Sequence, residues 1–236
     1  MFSVYFLQLG LYEIFIWSFL SSIGGTNAMK RLLQSIENLK NSEVKNLVDA
    51  RLKEFKELGN RSNNEIFKEL CFCILTANFD AEKSIKAQME IGDEFLTLPE
   101  SQLIKKLREL GHRYPNTRAR YIVDARKCKN SIKDIVKTFN DENKLREWLV
   151  KNVKGIGYKE ASHFLRNIGY ADFAIIDFHI VDVLTKHRII EKPKVLTKRR
   201  YLEIEGLLRK IARRSNVNLA ELDLYLWYME TGKILK

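Results

Sequence analysis

Cysteine is nearly absent. Three thiols, Cys71, Cys73 and Cys128, stand in a chain of 236 residues. They are too few for a four-thiolate iron–sulfur or zinc cage, and odd in number for a disulfide framework. They suit a reducing compartment and read as small buried hydrophobes. Proline is equally scarce, at three, and no hairpin of alternating strands is found. Of the four histidines, His163 and His179 lack the H-E-x-x-H spacing of a metal site and read as structural. No metal and no cofactor is expected. Acidic residues are also in deficit: 30 Asp+Glu against 41 Lys+Arg leave a formal charge of +11. The surplus is spread along the chain, so it describes a basic face on a globular surface, suited to nucleic acid or an anionic membrane. A protein that is merely basic is the plain alternative.

Residues 1–28 lack charge almost entirely, with Glu13 alone among apolar and aromatic side chains. A secretory signal needs Lys or Arg ahead of its apolar core, and none is present. A membrane span needs roughly 20 apolar residues, and the stretch from Leu7 to Ile23 is interrupted by Glu13. Translation beginning at Met29, a true anchor and an extra helix stand as alternatives. The expected division is an apolar extension over 1–28 and one folded domain over 29–236, cytoplasmic.

What is present from Met29 onward is helical period. Ser62-Asn63-Asn64-Glu65 has the form of a capping box ahead of Ile66, Phe67, Leu70 and Ile74. Pro99 can open a helix carrying Leu103, Leu107 and Leu110, with Gly111 placed to end it. Leu219, Leu222, Leu226 and Met229 form another stripe, stopped near Gly232. The expected fold class is all-α, several helices joined by short loops.

The most informative stretch is Val153-Lys154-Gly155-Ile156-Gly157-Tyr158-Lys159-Glu160-Ala161. Ala161, Phe164, Leu165 and Ile168 share one helical face, so a helix starts close to Gly157 and ends at Gly169. Trp148 and Leu149 belong to a helix before it. Two helices thus flank a G-x-G turn, where glycines permit positive φ and free amides can hold a phosphate. Gly155 and Gly157 are the candidate backbone contacts of a helix-hairpin-helix, which grips DNA without reading sequence; an ordinary helical corner is the alternative. Lys159 stands in the first turn of the second helix, where the macrodipole disfavours a cation. A neutral amine is the form that attacks carbon. Asp177 follows 18 residues later, after the apolar run Ala174-Ile175-Ile176 and before the helical spacing of Phe178 to Val181. Amides at such a position favour an ionised carboxylate; a plain cap is the alternative.

These residues resemble the helix-hairpin-helix–Gly/Pro-rich–Asp glycosylases, and among them the archaeal type-2 8-oxoguanine DNA glycosylases. The resemblance runs from Met29 to Lys236. It is carried by Phe67 to Asn78, the Gly155–Gly169 hairpin with Lys159, Ile175-Ile176-Asp177 and the ending Trp227 to Lys236. It implies a compact two-lobed helical bundle with the active-site cleft between lobes, acting as a monomer on double-stranded DNA containing 8-oxoguanine. Lys159 would attack C1′ and form a Schiff base that permits strand cleavage, and Asp177 would stabilise charge developing on the sugar. Trp227 and Tyr114 would stack on the oxidised purine, the terminal carboxylate of Lys236 would accept from it, and Asn78 would meet the orphaned base. One departure stands out: relatives commonly have arginine where this chain has Phe178, which removes an expected phosphate contact. The alternatives are a glycosylase for another damaged base and a non-enzymatic helix-hairpin-helix DNA-binding protein.

Overall fold

The computed structural model describes residues 25–236; the apolar stretch 1–24 lies outside the described residues. Twelve α-helices and two short 3-10 helices follow one another among the described residues, with no strand; the α-helices are labelled in chain order. They are α1 (Gly25–Lys40), α2 (Val44–Asn60), α3 (Asn63–Thr76), α4 (Ala81–Ile91), α5 (Glu100–Glu109), α6 (Pro115–Ala125), α7 (Ile132–Lys137), α8 (Glu142–Asn152), α9 (Tyr158–Asn167), α10 (Phe178–Lys186), α11 (Lys198–Arg214) and α12 (Leu219–Thr231). Their ends are set locally. Ser62 caps α3 by accepting from the Glu65 amide at 3.3 Å. Pro99 precedes α5 as its N-cap, and Gly232, at φ +69°, closes α12 in the left-handed conformation that glycine adopts without strain.

The helices sort into two cores, giving the expected two-lobed all-α bundle. The middle of the chain, from Ile66 to Phe173, packs Phe67, Phe72, Phe95 and Phe164 into one core. The first and last parts of the described residues build the other, in which Leu32, Ile36 and Val48 belong to the same core as Leu184, Ile211 and Tyr225. Each such buried side chain contributes about 1.5–3 kcal/mol. Cys71, Cys73 and Cys128 are all buried in the first core, as their sparse use suggested. Helix α1 begins at Gly25, four residues before Met29, and Ala28 already packs on the second core.

The chain crosses between lobes twice, after α2 and after α9. There the two backbones approach closely: a Cβ on Gly59 would lie 2.1 Å from the Ile168 carbonyl oxygen, and one on Gly169 would lie 3.2 Å from Lys56 Cα. A buried polar centre secures the return crossing. Arg146 on α8 pairs both guanidinium nitrogens with Glu205 on α11, at 2.6 and 2.9 Å, and reaches Ser162 Oγ on α9 at 3.2 Å. Glu205 Oε1 also accepts from the Ala174 amide at 3.2 Å, while Tyr201 Oη lies 2.6 Å from the Ala174 carbonyl. Four elements therefore depend on one ion pair. Glu205→Ala strands the Arg146 charge in the interior, and the expected loss in urea unfolding is about 3–5 kcal/mol; an unchanged midpoint would show that the pair is not structural.

Candidate active site

The seam between the lobes opens into a cavity of about 990 Å³. The sequence candidates Lys159, Asp177, Trp227, Asn78 and Lys236 all line it. They come from separate elements: Asn78 from the α3–α4 loop, Lys159 from α9, Asp177 from the start of α10, Trp227 from α12 and Lys236 beyond it. The structure does not bring Tyr114 there. It caps α6 outside the cavity lining, with Arg113 and Arg118 over its ring at 5.3 and 5.8 Å. Phe79 lines the cavity, backed by the His112 ring at 4.0 Å. The mismatch has a plain cause: Pro115 starts a helix one residue after Tyr114, which fixes the chain direction there.

The hairpin forms between α8 and α9, but its two glycines differ. Gly155 has φ +82°, and a Cβ on it would sit 2.3 Å from the Tyr121 ring. Gly157 is extended, at φ −97° and ψ −170°, and its amide donates to Glu160 Oε2 at 3.0 Å. Positive φ is thus required at Gly155 alone, and the Gly157 amide is already engaged by a carboxylate from the next turn. Glu160 turns its other oxygen to the lysine, with Lys159 Nζ 3.3 Å from Oε1. The Lys159 side chain remains 22% exposed, toward the cavity.

Asp177 is the N-cap of α10, and its Oδ1 accepts from the Ile180 amide at 3.0 Å. The capping geometry is as the sequence indicated; the expected balance of charge is not. Burial pushes its carboxyl above the usual range, and the Ile180 amide and the nearby Lys159 charge oppose that without cancelling it. Desolvation outweighs the helix start because α10, α12 and the crossing segment enclose the group.

Behind these two residues lies a polar chain that the sequence did not disclose. Asp223 on α12 pairs with buried Arg166 on α9 at 2.8 Å. Burial raises Asp223 to about 7, Arg166 opposing and the Asp177 charge adding to the rise. Arg166 Nε donates to Asn167 Oδ1 at 3.0 Å, and Asn167 Nδ2 to Glu69 Oε1 at 2.6 Å. Glu69 Oε2 receives Lys236 Nζ at 2.8 Å, and that ammonium also stands 4.3 Å over the Phe72 ring. The C-terminal residue is thereby anchored to the wall of the cavity. One signal was available: Asp223 is an acid flanked by Leu222 and Leu224 in the most apolar stretch of α12. Beside the chain, burial holds His163 neutral, its pKa well below the ordinary histidine value, with its ring edge-on to Phe72 at 5.5 Å. Among the described residues no cluster of three His, Cys, Asp or Glu is placed to hold a metal, and no helix is long and apolar enough to cross a membrane.

Two helical lobes, a glycine hairpin at the seam, and a lysine and aspartate on one cavity define a helix-hairpin-helix DNA glycosylase architecture. Comparison with known proteins gives the particular branch. The family model described as 8-oxoguanine DNA glycosylase matches residues 48–217, and the chain belongs to that family. The 8-oxoguanine DNA glycosylase/AP lyase of Methanocaldococcus jannaschii is 60% identical over 206 residues, 87% of this chain and 99% of that protein. Its namesake from Korarchaeum cryptofilum is 55% identical over 206 residues, 87% of this chain and 98% of that protein. Among solved structures, the M. jannaschii enzyme in complex with a 15mer DNA containing 8-oxoguanine superposes with a TM-score of 0.85 at 59% identity, covering 87% of this chain and 100% of that one. The Thermotoga maritima 8-oxoguanine DNA glycosylase gives a TM-score of 0.83 at 48% identity, covering 88% of this chain and 100% of that one.

The raised carboxyl of Asp223 has a consequence for stability. Between the ordinary aspartate range and about pH 7, the unfolded chain releases this proton while the folded chain keeps it. The contribution is therefore complete below the unfolded pKa and is lost as pH rises through 7. Asp223→Asn should flatten that part of the profile, so that the urea midpoint of the parent falls more steeply than the variant's between pH 4 and pH 8. Parallel profiles would show that Arg166 keeps Asp223 ionised throughout.

Proposed function

We propose that this chain removes 8-oxoguanine from double-stranded DNA and then cleaves the strand at the resulting abasic site, through a Schiff base on Lys159. The observation that carries the reading is the meeting of Lys159 and Asp177 on one inter-lobe cavity, the charge of the first acting on the carboxyl of the second. Residues 29–236 are the working unit, acting as a monomer, with Gly155 and its hairpin against the DNA backbone. Its relatives carry the name 8-oxoguanine DNA glycosylase/AP lyase.

The damaged nucleotide leaves the helix and enters the cavity at a cost of a few kcal/mol, part of which the lesion offsets. The neutral Lys159 amine attacks C1′; the N–C1′ bond forms as the glycosidic bond breaks, and the base leaves with that electron pair and takes up a proton. Asp177, when ionised, stabilises the positive charge that develops on the sugar. Glu160 and Asp177 both border the lysine and can accept the proton it sheds. The C1′–O4′ bond then breaks as O4′ takes up a proton, which leaves the opened sugar as a protonated imine, and loss of a C2′ proton expels the 3′ phosphate. Trp227 and Phe79 offer aromatic surface to the base, Asn78 faces the base left behind, and the anchored Lys236 presents its terminal carboxylate, an acceptor for purine N–H groups.

Borohydride trapping tests this directly. The parent should form a covalent adduct with a duplex carrying one 8-oxoguanine, and none with guanine or an oxidised pyrimidine. Lys159→Gln should abolish adduct and excision while leaving duplex affinity within a few fold, and Asp177→Asn should slow excision by at least about tenfold with little change in binding. Normal turnover by Lys159→Gln ends the proposal; an adduct on the pyrimidine lesion keeps the chemistry and changes the substrate.

A further inference from the structure

Phe178 is 68% exposed although it immediately follows Asp177. A lone exposed aromatic is ordinary, but this one is positioned. One face of its ring lies on His179, with centroids 3.9 Å apart at 37°. His179 in turn meets the Trp227 ring edge-on at 4.6 Å and 77°. All three line the cavity, so an aromatic row runs from its wall to an open outer ring. Pro193 and Leu196 line the same cavity and add apolar surface, with Lys192 beside them supplying a cation. A flat, bare π-face backed by a second ring suits a nucleobase, which stacks on aromatic side chains without regard to its identity.

We propose that Phe178 stacks on the nucleobase that adjoins the lesion on the same strand, taking the place vacated by the everted base. The inference rests on the reading that the cavity receives a flipped nucleotide. Position decides which base is met. Asp177 is assigned to the sugar of the flipped nucleotide, and Phe178 follows it directly, on the same cavity and with its ring exposed. The neighbouring base of that strand is therefore within reach of the next side chain. The base on the complementary strand faces the loop bearing Asn78 and Phe79 instead. In this role Phe178 gives the chain a sequence-tolerant hold on damaged DNA that an arginine at the same place would supply through phosphate.

The test uses the Lys159→Gln protein, so that no chemistry intervenes, and a duplex with 8-oxoguanine flanked on the same strand by 2-aminopurine, whose emission rises when it loses stacking. With Phe178 in place, binding should leave emission low. Phe178→Ala should raise it several-fold and weaken lesion-duplex binding about tenfold, within the range expected for loss of one stacked base; Phe178→Trp should restore both. Equal emission and affinity for Phe178→Ala and the parent would overturn the proposal, as would an emission change confined to 2-aminopurine placed opposite the lesion. Borohydride trapping with Lys159 intact separates the two readings. An adduct formed while Phe178→Ala changes nothing removes only the stacking role; a stacking effect without any adduct removes only the lyase.

Discussion

The pairing of Arg146 with Glu205 is the constraint on which the site depends. It joins α8 to α11 across the lobes, touches α9 through Ser162 and holds the crossing segment at Ala174. Lys159 rides on the first turn of α9, and Asp177 hangs from the end of that segment. The ion pair therefore fixes the relative position of two groups that share no secondary-structure element. Both partners are buried, so their charges are costly unless paired with close geometry, and the bidentate contact supplies it. Apolar contact could hold the lobes together, but it would not set the angle between them so narrowly.

The cavity inherits its chemistry from that placement. Two carboxyls and an imidazole stand around the cavity with the Lys159 amine, in a space enclosed enough to shift the protonation of the acids and the imidazole, yet open enough to admit a ligand. Asp177 and Asp223 are both displaced upward, mainly by burial, and the Asp177 charge adds to the rise at Asp223. The chain Asp223–Arg166–Asn167–Glu69–Lys236 then carries order from the reacting end of the cavity to the C-terminus. The Asp177 end of the cavity and the C-terminal residue are in this way tied to a single polar network between the two cores.

Local signals proved strong where the cause was local. Apolar stripes, Ser62, Gly232 and the residues around Gly157 specified helices and their ends, because capping and amphipathic period act within a few residues. Lys159 and Asp177 stood out as chemistry placed at helix starts. Tyr114 was lost because its position depends on how a loop departs into α6, and Phe79, which takes a place on the cavity, carries no pattern of its own. The Gly157 amide was expected to be open, and a carboxylate three residues on occupies it.

The sequence by itself determined the helical class, the hairpin, and the placing of Lys159 and Asp177 at helix starts, since each follows from spacing along one short segment. Only the tertiary structure decided that residues 29–55 and 174–226 would build one lobe, that Arg166 and Asp223 would meet, and that Asp177 would be protonated more readily than a free aspartate. Burial is the reason. It is a property of what the rest of the chain packs around a residue, and no neighbour in sequence reports it.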